Sequence, residues 1–195
     1  MEKLLIGINS LASLIFLSLS FSSFNFKKLL NFAIFTLAIN FFARLSLSIF
    51  VYVTWIHNKF TSFLVKDFEY FLLFVSSKFW YDFFISIVLG IVYCVLFFLI
   101  NKKFKENIFY PEEFILIFVA SVLACWPLNI FYPLFLLGVV FLIFFVKILL
   151  RMIFGKEKIK IKERISTLHF HLILALILSV LNLIFYDKLL MFRLG

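Results

Sequence analysis

Residues 114–146 read FILIFVASVLACWPLNIFYPLFLLGVVFLIFFV, thirty-three positions without a charged side chain and with two interior prolines. As one helix rising ~1.5 Å per residue, the run would extend to about 50 Å, against a hydrocarbon core of roughly 30 Å. The stretch is therefore expected to enter a bilayer, turn between Pro127 and Pro133, and return. That reading sets the medium for the whole chain, which is lipid.

Composition agrees. Hydrophobic residues make up 65% of the 195 positions, charged residues 15%, and the mean hydropathy is +1.16. Backbone polar groups in lipid must be satisfied internally, which leaves helices or a closed barrel. A barrel needs short strands alternating apolar and polar residues. Unbroken apolar runs such as 85–100 and 168–181 fit helices instead. The expected fold is all-α, a polytopic transmembrane bundle of about six spans forming one membrane domain. The spans fall near 4–24, 29–56, 83–100, 114–130, 134–150 and 165–185. The first is read as a retained span, since the charges of Glu2 and Lys3 nearly cancel, with a signal peptide cleaved after the small residues Ser18-Leu-Ser20 as the alternative.

Between the spans, basic residues alternate. The first connection holds Lys27 and Lys28, and the third Lys102, Lys103 and Lys105. The region 147–164 holds seven, from Lys147 to Arg164, whereas the connection 126–133 holds none. Connections one, three and five are thus expected on the cytoplasmic or matrix side, with both termini opposite. This patterning also accounts for the net charge of +9 without nucleic acid as a partner. The 32 phenylalanines suit an AT-rich genome, and the expected location is the cytoplasmic membrane of a bacterium or the mitochondrial inner membrane. Between the second and third spans, residues 60–77 are apolar but carry Lys66, Asp67 and Glu69 near their middle. Three charges at mid-depth cost several kcal/mol, so the segment is read as an amphipathic helix lying in the interface, with a seventh span as the alternative.

Few residues could carry chemistry. Arg44 lies halfway along the second span, where it either lines a polar interior with Asn40 or snorkels to an interface. Asn129, between Pro127 and Pro133, could line a broken-helix site of the kind found in transporters. Glu112 and Glu113 follow Pro111 at a helix start, where acids meet the positive end of the helix dipole. His169 and His171 are read as interfacial, and their i, i+2 spacing excludes a zinc pair on one helix face. Cys94 and Cys125 lack a CxxC spacing and read as small apolar residues. No phosphate loop, GxSxG elbow or haem pair occurs, so no metal, cofactor or catalytic residue is expected.

The order of segments resembles the type IV prepilin peptidases, which are membrane aspartyl proteases. Ile56-His-Asn-Lys-Phe-Thr61 is similar to that family's I-P-N-K-L-T-like turn, and residues 82–90 to its D-x-x-x-G segment. Tyr110-Pro-Glu-Glu113 stands where its G-x-G-D motif falls, and residues 155–164 match its basic loop. The first catalytic aspartate would fall near Phe50, yet no acid occurs between Lys3 and Lys66. Glu113 replaces the second aspartate, and both motif glycines are missing. The resemblance, spread from Ile56 to the C-terminus, therefore implies a relative stripped of aspartyl chemistry.

Three functions follow as expectations. The first is a non-catalytic packing or assembly subunit, with the lipid bilayer and other membrane proteins as partners. The second is a small-solute or ion carrier centred on Arg44, Asn40 and Asn129. The third is an inactive peptidase-like protein.

Overall fold

The computed structural model describes residues 2–20, 26–104, 108–154 and 167–189. The basic loop 155–164, Lys105 and the ends of the first and last expected spans (21–24 and 165–166) lie outside the described residues. Among the described residues the fold is all-helical. Its α-helices are α1 (Glu2–Ser20), α2 (Phe26–His57), α3 (Ser62–Lys66), α4 (Phe68–Val75), α5 (Tyr81–Lys103), α6 (Glu113–Ala124), α7 (Tyr132–Phe154) and α8 (Leu168–Ile184). Three helical stretches are long and apolar enough to cross a bilayer: Leu30–His57, Phe68–Lys103 and Leu128–Ile153. The protein is a membrane protein.

The core forms around α6. Nine of its twelve residues are buried, among them Leu116, Ile117, Ala120 and Leu123, and they pack with Phe97, Phe109, Tyr132, Leu136 and Leu172. Helix α5 runs antiparallel to α6, since Cys94 Sγ reaches Phe114 O at 3.2 Å while Ser86 Oγ accepts the Trp126 N–H at 3.1 Å. Helix α8 lies parallel to α6, joined at one end by Glu113 and Thr167 and at the other by Asn182 and Ala124. Helix α1 is antiparallel to α8, with Lys3 paired to Asp187 at 3.1 Å. It is antiparallel to α2 as well, through the Phe16–Phe32 ring stack at 4.1 Å and a smaller cluster holding Leu5 and Val51.

The α5–α6 approach depends on small residues. Ser86, Gly90 and Cys94 recur every fourth position on α5, and Gly90 faces Phe118. A Cβ there would lie 3.0 Å from Phe118 Cδ2 and 3.3 Å from its carbonyl oxygen. Small-xxx-small ridges of this kind let helix backbones approach in lipid. Gly90→Ala is expected to cost about 1 kcal/mol through overpacking, read as a lower unfolding temperature in detergent. Gly138, with nothing within 4 Å of its Cβ position, should accept alanine without loss.

Two expected elements differ. The interfacial helix over 60–77 is not a separate element: α3 ends at Lys66, and the side chain of Asp67 caps α4 by accepting the Tyr70 N–H at 3.3 Å. Helix α4 then runs through a π-helical turn, Ser76–Trp80, directly into α5. No glycine or proline interrupts residues 68–89, and Phe71, Val75 and Phe79 are buried beside Trp55 and Trp80, so the rod continues. Lys66, Asp67 and Glu69 sit at its exposed end. Second, the span expected over 114–130 stops at Ala124. Pro127 can neither donate to the helix ladder nor fit under the carbonyl four residues back. The chain breaks at Cys125 (φ 59°), forms a cis peptide between Trp126 and Pro127, and makes a 3-10 turn over Leu128–Phe131 before α7.

Candidate functional site

The break after α6 gathers polar side chains from four helices in an otherwise apolar interior. Asn182 of α8 points Nδ2 at the carbonyls of Ala124, Cys125 and Trp126, at 3.4, 3.1 and 3.1 Å. These are carbonyls that the end of α6 leaves without helical partners. Ser86 of α5 accepts the Trp126 N–H and also the Asn129 Nδ2 group at 3.2 Å. Asn9 of α1 donates Nδ2 to Cys125 Sγ at 2.6 Å. All three amides are buried.

Arg44 faces this turn from α2. It is 3% exposed, so it does not snorkel. Its Nη1 donates to Asn40 Oδ1 at 2.9 Å and to Asn40 O at 3.2 Å, one turn back on the same helix. The guanidinium carbon stands 4.6 Å from the centroid of the Phe83 ring, a cation–π contact. The Asp82 carboxylate lies close enough to act on the guanidinium electrostatically. Among the described residues, three buried polar atoms of this centre meet no protein partner: Arg44 Nε, Asn9 Oδ1 and Asn129 Oδ1. Such groups in a low-dielectric interior cost free energy unless something polar answers them. The centre therefore offers one N–H donor on a cation and two amide acceptors.

A second polar chain ties the opposite end of α6. Glu113 is 1% exposed, and its carboxyl oxygens accept the Tyr110 N–H at 3.0 Å and the Thr167 N–H at 2.5 Å. The Glu113 N–H returns to Tyr110 O at 3.0 Å, closing a helix-start box. Thr167 Oγ1 meets His171 Nε2 at 3.0 Å, and His171 Nδ1 meets the Tyr132 hydroxyl at 2.7 Å. Thr167, His171 and Tyr132 are wholly buried.

Of the residues singled out in the sequence, Arg44 and Asn40 are in direct contact, and Asn129 joins the same centre through Ser86 and the turn. Glu113 caps its helix as expected but also holds the start of α8. Glu112 is half-buried beside it. The interfacial reading of His171 is corrected: it sits in the core because the Thr167 and Tyr132 hydroxyls satisfy both ring nitrogens. No family profile, curated protein or solved structure matches this chain.

Asn9, Ser86, Asn182, Thr167 and Tyr132 escaped sequence reading. A lone asparagine in an apolar run, as at Asn9 and Asn182, was the available signal, because amides in lipid face the bundle interior. Among the described residues no three His, Cys, Asp or Glu side chains come together as a metal site. Residues 56–61 lie at the end of α2 that packs on α4, through Trp55 and Phe74. Glu113 sits near the far end of α5, beside the segment that Asn101 anchors at Phe109.

Proposed function

We propose that the chain is a six-span membrane protein that binds and moves a small anionic solute or ion at the polar centre around Arg44. The observation carrying this reading is the buried guanidinium with an unanswered Nε, facing a broken helix whose neighbouring amides also hold unanswered oxygens. Intramembrane charges of this kind mark solute and ion pathways, and broken helices line the sites of many carriers. The six spans would be α1, α2, the rod Phe68–Lys103, α6 with the following turn, α7 and α8. At ~1.5 Å per residue α6 covers only about 18 Å, so its neighbours complete the crossing.

Charge distribution supports the orientation. Lys27 and Lys28 at the start of α2, Lys102 and Lys103 at the end of α5, and Lys147 and Arg151 near the end of α7 gather on one side, which belongs in the cytoplasm or matrix. A bacterial cytoplasmic membrane or the mitochondrial inner membrane is the compatible location.

The test is flux in proteoliposomes carrying entrapped chloride- and pH-sensitive dyes. The wild-type chain should dissipate an imposed gradient, and Arg44→Leu should abolish that movement at unchanged protein content. Equal flux from both, or none from the wild type, would overturn the ionic form of the reading.

The second reading, a packing or assembly subunit, draws on α7. Phe141, Met152 and Ile153 are 73%, 78% and 71% exposed there, a broad apolar face available to lipid or to another subunit. Co-purification of stoichiometric membrane proteins in mild detergent would favour it. Kinship with the prepilin peptidases would add ancestry without chemistry, since Glu113 stands far from the position near Phe50.

A further inference from the structure

At the end of the bundle away from the lysine-rich connections, a cavity of about 390 Å³ opens between the start of α1, the end of α2 and the α4–α5 junction. Its walls carry Glu2, Lys3, Lys78, Trp55 and Tyr186 above an apolar floor that includes Phe79. We propose that this cavity holds the headgroup of a zwitterionic aminophospholipid, phosphate toward Lys78 and Lys3, ammonium toward Glu2.

Four observations carry the assignment. The volume lies in the lower part of the range for small-molecule sites and suits a headgroup with its glycerol. Both charge signs are present and incompletely committed: Lys78 Nζ stops 4.0 Å from Glu2 Oε1, beyond hydrogen-bond reach, although the lysine side chain is only 27% exposed. Glu2 is held in place by the Tyr186 hydroxyl, which donates to Oε2, so its second oxygen can face an ammonium. Lys3 reaches Asp187 at 3.1 Å on an exposed side chain and can swing on its flexible stem. Trp55 and Tyr186 are the residue types that settle at headgroup depth, and the neighbouring α4 surface, with Leu72 and Leu73 exposed, offers a path for acyl chains. A free phosphate would use the lysines and leave the apolar floor and Glu2 without a role.

The inference does not rest on the Arg44 reading. Its test is lipid titration of the purified full chain in detergent, followed by native mass spectrometry, with phosphatidylethanolamine, phosphatidylglycerol, diacylglycerol and inorganic phosphate as probes. Phosphatidylethanolamine should bind most tightly, and inorganic phosphate at equal concentration should not displace it. Lys78→Gln should weaken both phospholipids about tenfold, the size expected for one hydrogen bond to a charged group. Glu2→Gln should weaken phosphatidylethanolamine alone, and Lys66→Gln, on an exposed side chain outside the cavity, should change neither. Unfolding temperatures without lipid check that each variant is folded. Equal binding of diacylglycerol, displacement by inorganic phosphate, or folded Lys78→Gln and Glu2→Gln variants with unchanged affinities would overturn the proposal.

Discussion

Glu113→Leu should destabilise the protein by about 3 kcal/mol, the largest loss expected from any one substitution. The carboxyl accepts two backbone N–H groups, from Tyr110 and Thr167, and each buried donor left unpaired costs roughly 1–3 kcal/mol. Thr167 is wholly buried, so water cannot take over that bond. The effect should spread, because Thr167 also orders His171, and His171 orders Tyr132. Glu113→Gln keeps one carbonyl acceptor in nearly the same volume and should recover about half of the loss. Chemical unfolding in detergent, followed by far-UV circular dichroism, measures both. A Glu113→Leu protein as stable as wild type would mean that the α6–α8 tie carries no weight.

The second large effect is at Asn182. Replacement by leucine fills a similar volume but strips the donor group from the carbonyls of Ala124, Cys125 and Trp126. One amide cannot make three strong bonds, and the 3.4 Å contact is weak, so the loss should be about 2 kcal/mol and not three times a single bond. Ser179→Ala, one turn earlier on the same helix, is the control. Its hydroxyl bonds to Leu176 O within α8, at 3.0 Å, and holds no other helix. Its removal should move the unfolding midpoint little. If the two variants behave alike, Asn182 is not what closes the end of α6.

Much of the architecture was legible because lipid imposes simple rules. Charge-free runs marked where helices lie, and the pairing of Pro127 with Pro133 marked the break. Basic residues in alternate connections led to an expected direction for each helix. The rod over Phe68–Lys103 was misread because three charges near its start suggested a boundary, whereas no backbone breaker existed and the Phe71–Phe79 face had aromatic partners on α2. The polar centre was half legible. Arg44 stood out as a charge inside a span, and Asn40, four residues earlier, lies within one helical turn. Partners such as Asn9 and Asn182 belong to other helices, and no local pattern brings residues 9, 44, 86, 125 and 182 together. The same limit hid the tie between Glu113 and Thr167, fifty-four positions apart.

Helix α6 is too short to cross alone and is nearly enclosed by its neighbours, which constrains how the polypeptide can be made. Insertion machinery weighs each segment as it emerges, and a twelve-residue apolar helix gives a weak signal for partition into the bilayer. Its final resting place needs α8, which is synthesised some fifty residues later. A nascent chain halted before residue 168 would hold α6 without its lid, with the Asn182 donor still missing from the broken turn. The packing of α6 therefore waits on the synthesis of α8.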